Sequence, residues 1–112
     1  MIAYVPQPST VTAPEKQLED AVNFGVPTPA KVEVTDTLLK ATSIDAVSGT
    51  VDTRVLNFSK VSTMTLGKGA FYVVTVLDAS GDKLYSYYSD DLKPAQQFMD
   101  ALEAIHQRTS HK

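Results

Sequence analysis

Residues 70–89 run Ala70-Phe71-Tyr72-Val73-Val74-Thr75-Val76-Leu77, then Asp78-Ala79-Ser80-Gly81-Asp82, then Lys83-Leu84-Tyr85-Ser86-Tyr87-Tyr88-Ser89. The first eight are dense in β-branched and aromatic residues, which suit a pleated strand. The next five are turn formers, and the last seven return as a second strand. A two-residue turn at Ser80-Gly81 sets Asp78 opposite Lys83, Leu77 opposite Leu84, Val76 opposite Tyr85 and Val74 opposite Tyr87. The opposed charges of Asp78 and Lys83 favour that register slightly. One face then carries Phe71, Val73, Thr75, Leu77, Leu84, Ser86 and Tyr88. The other carries Tyr72, Val74, Val76, Tyr85 and Tyr87. Both faces are apolar, whereas a sheet with one wet face alternates cleanly. The hairpin is therefore expected in a curled sheet or barrel whose outer surface is also partly covered.

Downstream, Asp90 or Asp91 caps a helix running to about Gln107, which leaves Pro94 in the first turn where its missing N–H is harmless. Leu92, Ala95, Phe98, Met99, Leu102 and Ile105 fall in one stripe at the helical period. Phe98, Leu102 and Ile105 are expected to bury against Phe71, Val73 and Leu84. Upstream, Lys31–Val34, Leu38–Ile44, Thr50–Leu56 and Phe58–Leu66 read as strands, with turns at Ser48-Gly49 and Gly67-Lys68-Gly69. Five of the six prolines lie before residue 30. Residues 1–29 thus read as a Pro-rich arm, with a short acidic helix at about 14–24 that starts on Pro14 and stops at Gly25. Residues 30–107 form a single α+β domain, and 108–112 a polar tail. The fold class expected is α+β: a strongly bent antiparallel sheet or small barrel of about five to seven strands, closed by the C-terminal amphipathic helix. Because both hairpin faces are apolar, the face with Tyr72, Tyr85 and Tyr87 needs a cover. The helix at 14–24, offering Leu18, Val22 and Phe24, or a second copy of the chain, is expected to supply it.

The strand Phe71–Leu77, the Ser80-Gly81 turn, the aromatic strand Tyr85–Tyr88 and the Ala95-x-x-Phe98-Met99-x-x-Leu102-x-x-Ile105 stripe together resemble the pleckstrin-homology-like (PH-like) barrel superfamily, in its small bacterial type. The likeness covers residues 54–106. It implies a bent sheet whose open end is plugged by the last helix. The basic cluster of phosphoinositide-binding members is missing, since Lys31 and Lys40 stand among Glu33, Asp36 and Asp45.

Composition narrows the function. The chain has 112 residues, 43% hydrophobic and 21% charged, with net charge −3 and no cysteine. Disulfides, thiol catalysis and Cys-ligated metals are excluded. The acidic balance disfavours nucleic acid and anionic membranes. Met1–Pro6 holds no Lys or Arg and no long apolar run, so no signal peptide is expected and the cytoplasm is the expected compartment. His106 and His111 stand about 140° apart on a helix, too far round to share a metal. His106 fits a helix C-terminus and His111 a tail. Gly67-Lys68-Gly69 precedes a strand, so it is a turn and not a phosphate loop. Asp78–Asp82 lacks the ligand spacing of a calcium loop. Asp90-Asp91 fits a cap and a dipole partner. Asn57-Phe58-Ser59 is a glycosylation sequon without a secretory context. No catalytic residue, metal or cofactor is nominated. The residues singled out for binding are Tyr72, Tyr85 and Tyr87, because tyrosine is enriched at interfaces; packing under the N-terminal helix is their structural alternative. The expected function is a non-catalytic binding or assembly module with a protein partner or a homodimer. The alternatives are a small enzyme or ligand carrier with a tyrosine-lined pocket, and a peripheral lipid-binding module.

Overall fold

The computed structural model describes residues 4–7, 9, 11–25, 29–45 and 47–110. The expectations placed on His111, Pro8 and Pro27 lie outside them. The chain is α+β. Helix α1 spans Pro14–Asn23. Strands β1 (Lys31–Val34), β2 (Leu38–Ile44) and β3 (Val51–Asn57) form one antiparallel sheet in the order β1-β2-β3. Strands β4 (Thr63–Lys68), β5 (Tyr72–Leu77) and β6 (Lys83–Ser89) form a second, in the order β4-β5-β6. Helix α2 spans Leu92–Ser110. The two sheets do not close into a barrel. Among the described residues β3 pairs only with β2, and β6 only with β5. The two helices complete the core in place of further strand pairing: Leu18, Ala21 and Val22 of α1 are buried, and so are Ala95, Phe98, Met99, Ala101, Leu102 and Ile105 of α2.

Most elements form where local chemistry asks for them. Pro14 opens α1, and the Gln17 amide donates to the Ala13 carbonyl as the first helical bond, at 2.9 Å. The body of the β5–β6 hairpin keeps the expected register, Val76 opposite Tyr85 and Val74 opposite Tyr87. Its tip does not. The register shifts between Val76 and Leu77, so Leu77 faces Lys83 and the Asp78–Lys83 pair is not made. The Asp78 carboxylate turns inward on the loop, accepting from the amides of Ser80 at 2.9 Å and Asp82 at 3.0 Å. Gly81 takes φ +86°, which a side chain would oppose.

Three expectations are corrected. Phe58–Leu66 is not one strand. The Asn57 side chain accepts from the Ser59 amide at 3.1 Å and caps a single 3-10 turn at Phe58–Lys60, after which β4 begins. The Gly67-Lys68-Gly69 turn moves to Gly69–Phe71, where the Gly69 amide reaches the Phe71 carbonyl, because β4 continues through Lys68. The partner face of α2 is reversed. Phe98, Leu102 and Ile105 are fully buried as expected. They lie with Val74, Val76, Tyr85 and Tyr87, while Phe71, Val73 and Leu84 remain half-buried. Thr75 opposes Ser86 in the middle of the outer face, and that polar pair belongs toward water.

Candidate functional site

The inner face of the first sheet changes character along its length. Leu39 opposes Leu56, and both are buried. The next inward pair is Ala41 with Arg54, and the next Ser43 with Asp52. Ala41 and Ser43 are too small to reach the facing sheet, so an open groove of about 740 Å³ remains between the β2–β3 hairpin and β6. Tyr85, Ser86, Tyr87 and Tyr88 form its far wall, Val22 and Gly25 close its back, and Asp45, Ser48 and Thr50 form its rim. A narrower cleft of about 340 Å³ shares Arg54, Tyr85, Ser86 and Tyr88 with it and extends to Val55, Lys83 and Leu84.

The groups in this groove differ in how firmly they are held. The Asp45 carboxylate is committed to its own turn, accepting from the amides of Val47 at 2.8 Å and Ser48 at 3.1 Å. Those bonds, Ser48's foremost, hold its pKa below the usual value. Arg54 is held loosely: its Nε lies 3.7 Å from the Asp52 carboxylate, and both side chains are more than half exposed. An exposed pair of that kind contributes at most about 1 kcal/mol. Tyr87 is 3% exposed, and its hydroxyl donates to the Ala21 carbonyl, where burial pushes its pKa up to about 12. Tyr85 is 8% exposed, and no described residue hydrogen-bonds its hydroxyl. Burial raises the Tyr85 pKa, and the nearby Arg54 charge works against that rise.

Of the three tyrosines singled out either for binding or for packing under the N-terminal helix, Tyr85 and Tyr87 lie in the core. The Tyr87 ring stacks on Phe98 at 4.6 Å and 5°, and the Tyr85 ring at 6.1 Å and 15°. Only their edges reach the groove. Tyr72 stays outside the groove; Lys68 Nζ sits 4.8 Å above its ring. The cover over Tyr87 comes from this chain's own α1 through Ala21 and from Gly25 just after it, whereas Phe24 is 68% exposed. Sequence reading missed Ser43, Asp45, Asp52, Arg54 and Tyr88. It had one usable signal: inward positions on β2 and β3 turn from Leu to Ala, Ser, Arg and Asp toward the hairpin tip.

The other candidates take structural roles. His106 is half-buried near the end of α2, its Nδ1 4.0 Å from Glu103. Among the described residues no three metal-ligating side chains come together. Asp90 and Asp91 are exposed, and the turn into α2 is made by buried Ser89, whose Oγ takes the Asp91 amide at 3.1 Å and donates to the Asp91 carbonyl. Among the described residues no helix is long and apolar enough to cross a membrane. Ile44, which also lines the groove, opposes Val51 across the β2–β3 hairpin, and both are more than half exposed, as are Val47 and Val55, the latter in the lining of the narrower cleft. Set against known proteins, the chain matches no family model, no curated protein and no solved structure.

Proposed function

We propose that this protein is a non-catalytic binding module that docks a protein partner in the groove between the β2–β3 hairpin and β6. The observation that carries the reading is an open groove beside exposed Ile44, Val47, Val51 and Val55. Single exposed apolar residues are ordinary, but a cluster at the mouth of a groove marks an interaction surface. The groove is broad enough to take side chains, and its charged groups lie near the solvent side. The kinship with PH-like barrels is proposed in an open form only: two successive three-stranded meanders followed by one helix over the second sheet.

The test is affinity capture from the source cell with three forms of the full chain. These are the wild type, a groove-filled Ser43→Trp/Arg54→Glu form, and a Lys60→Glu form altered away from the groove. The proposal predicts one protein retained in fixed ratio by the first and third and lost by the second. Retention that ignores the groove substitutions, or no protein in fixed ratio, contradicts it. The volume of about 740 Å³ also favours a second reading, a carrier of a small molecule held against Tyr85, Tyr87 and Tyr88. Native mass spectrometry of the protein from its source distinguishes the two. A small molecule of fixed mass that Ser43→Trp expels supports the carrier.

A further inference from the structure

We infer that β3 pairs with β3 of a second copy of the chain, antiparallel and centred on Thr53, so that the two first sheets join into one across a two-fold axis. The inference goes beyond the groove-docking reading and does not depend on it. β3 is hydrogen-bonded by β2, and among the described residues no strand pairs with its other edge. Alternate backbone N–H and C=O groups on that edge therefore point away from the sheet. The segment Val51-Asp52-Thr53-Arg54-Val55 is exposed at every position, on both faces of the strand. Val51 is 60% and Val55 52% exposed, and the Asp52 and Arg54 side chains are 67% and 57% exposed. β6, the strand of the other sheet that comes closest to β3, stands across the groove from the inner side chains of Ser43, Asp52 and Arg54. It leaves the segment uncovered.

The residues of the segment select the register. A two-fold axis normal to a sheet places one residue opposite its own copy, because residues opposed across two strands share a face. Centred on Asp52, the pairing sets carboxylate against carboxylate. Centred on Arg54, it sets guanidinium against guanidinium. Centred on Thr53, it sets Asp52 of each copy opposite Arg54 of the other. The opposite face then carries Val51 of each copy against Val55 of the other, with the two Thr53 residues on the axis. Like charges directly opposed weaken a strand pair, whereas opposite charges and β-branched neighbours strengthen it. Within one chain Arg54 Nε lies 3.7 Å from the Asp52 carboxylate. Each group can exchange that loose contact for one across the axis. Ile44 stands opposite Val51 on β2 and extends the apolar row at each end of the contact.

The other edges offer less. β1 could set Lys31 against Glu33 in the same manner, but those two are already closed on each other at 2.7 Å, and the strand is only four residues long. β4 ends in Gly67-Lys68. β6 carries Lys83 and no acid, so no two-fold register of β6 pairs opposite charges. Short strands and edge lysines are the usual guards against strand pairing. β3 has neither, and it has no proline or glycine. A strand edge of that kind is a ready template for strand addition. The contact is small, so the dimer is reversible and belongs with transient interfaces.

The experiment follows the mass of the purified full chain by sedimentation velocity from about 1 μM to about 1 mM, the span in which a small interface associates. The wild type is compared with Asp52→Arg, Arg54→Asp and, as a control away from the edge, Lys60→Glu. All three positions are exposed, so the fold is kept, which circular dichroism checks. The inference predicts that the wild type and the control dimerise as concentration rises. Each reversal at 52 or 54 sets like charges face to face at both contacts and weakens association about tenfold or more. Mixed in equal amounts, the two reversed chains recover it, because two arginines of one strand then face two aspartates of the other. Native mass spectrometry identifies that mixed dimer by its mass. Hydrogen exchange gives a second readout: the alternate amides of Val51–Val55 that exchange freely in the dilute chain slow in the dimer, while those of β6 do not change. A wild type that stays monomeric throughout overturns the inference. So does a dimer that ignores both reversals, a mixture that associates no better than its parts, or protection that falls on β6 and not on β3. None of these outcomes bears on capture of a partner in the groove, which is read separately from the source cell.

Discussion

Replacing Phe98 by Ala tests which face of the β5–β6 hairpin is the core. Phe98 is fully buried, with the Tyr87 ring stacked at 4.6 Å and the Tyr85 ring at 6.1 Å. An aromatic side chain removes ~150–250 Å² from water, and at ~25 cal/mol per Å² that is worth about 4–6 kcal/mol. Alanine recovers a small part, and partial collapse of the site recovers more, so the expected loss is about 3–5 kcal/mol. Two stacked rings lose their partner at once, which places the value in the upper half of that range. Val73 lies on the opposite face and is half-buried, so Val73→Ala is expected to cost under about 1.5 kcal/mol. The assay is urea unfolding followed by circular dichroism, with the midpoint and the slope both fitted. A small domain has only about 5–15 kcal/mol to lose, so Phe98→Leu serves as the milder variant and is expected to cost ~1–2 kcal/mol. Losses under about 1 kcal/mol for Phe98→Ala, or Val73→Ala as costly as Phe98→Ala, would refute the assignment of the tyrosine face to the core.

Three further outcomes are expected. The Tyr87 phenol ionises near its ordinary value of 10 when unfolded but holds its proton to about 12 when folded. Its stabilisation is therefore complete below about pH 10 and lost between about pH 10 and 12, at most about 2–3 kcal/mol; Tyr87→Phe should flatten that alkaline fall in a pH-dependent unfolding series, and an unchanged fall would assign it elsewhere. A Cβ at Gly25 would stand 2.9 Å from the Tyr87 ring and 3.1 and 3.2 Å from the carbonyls of Val22 and Tyr88, whereas one at Gly67 meets nothing within 4 Å. Gly25→Ala should thus destabilise by ~1–3 kcal/mol while Gly67→Ala is neutral or slightly stabilising, and equal midpoints for the two would contradict this packing. The Asp100 carboxylate takes both the Tyr4 hydroxyl at 2.6 Å and the Gln7 amide at 2.8 Å, so Asp100→Asn should speed limited proteolysis ahead of Pro14, with an unchanged cleavage rate as the opposing result.

The elements legible in the sequence were those specified by local chemistry. The Val74–Val76 and Tyr85–Tyr87 stretches announced a hairpin through composition, and the apolar spacing from Ala95 to Ile105 announced α2. What failed was the choice between faces. Phe71, Val73 and Leu84 are as apolar as Val74, Val76 and Tyr85, so area alone could not decide. Thr75 opposite Ser86 was the discriminating pair, since two hydroxyls in mid-strand favour the wetter face. The cap at Asn57 and the side-chain turn at Ser89 were written in the sequence as well, but a one-residue hydroxyl or amide signal is weak beside the apolar runs around it. The groove was not legible. It depends on Ala41 facing Arg54 and Ser43 facing Asp52, a register set by pairing, and on where β3 lies relative to β6 some thirty residues later. The first is signalled only by the change from Leu to small and charged residues at inward positions of β2 and β3, and the second has no local signature.

β3 and β6 are each paired on one side among the described residues and border one open groove, and amide hydrogen exchange of the free monomer measures that directly. Resolved residue by residue, protection along Val51–Asn57 and Lys83–Ser89 should alternate, with every second amide slow where it bonds to β2 or β5 and its neighbours exchanging at rates near those of an unstructured chain. β5, paired on both sides, should be protected throughout. Uniform protection along both β3 and β6 would mean that the seam is closed, and would contradict the groove and everything proposed for it.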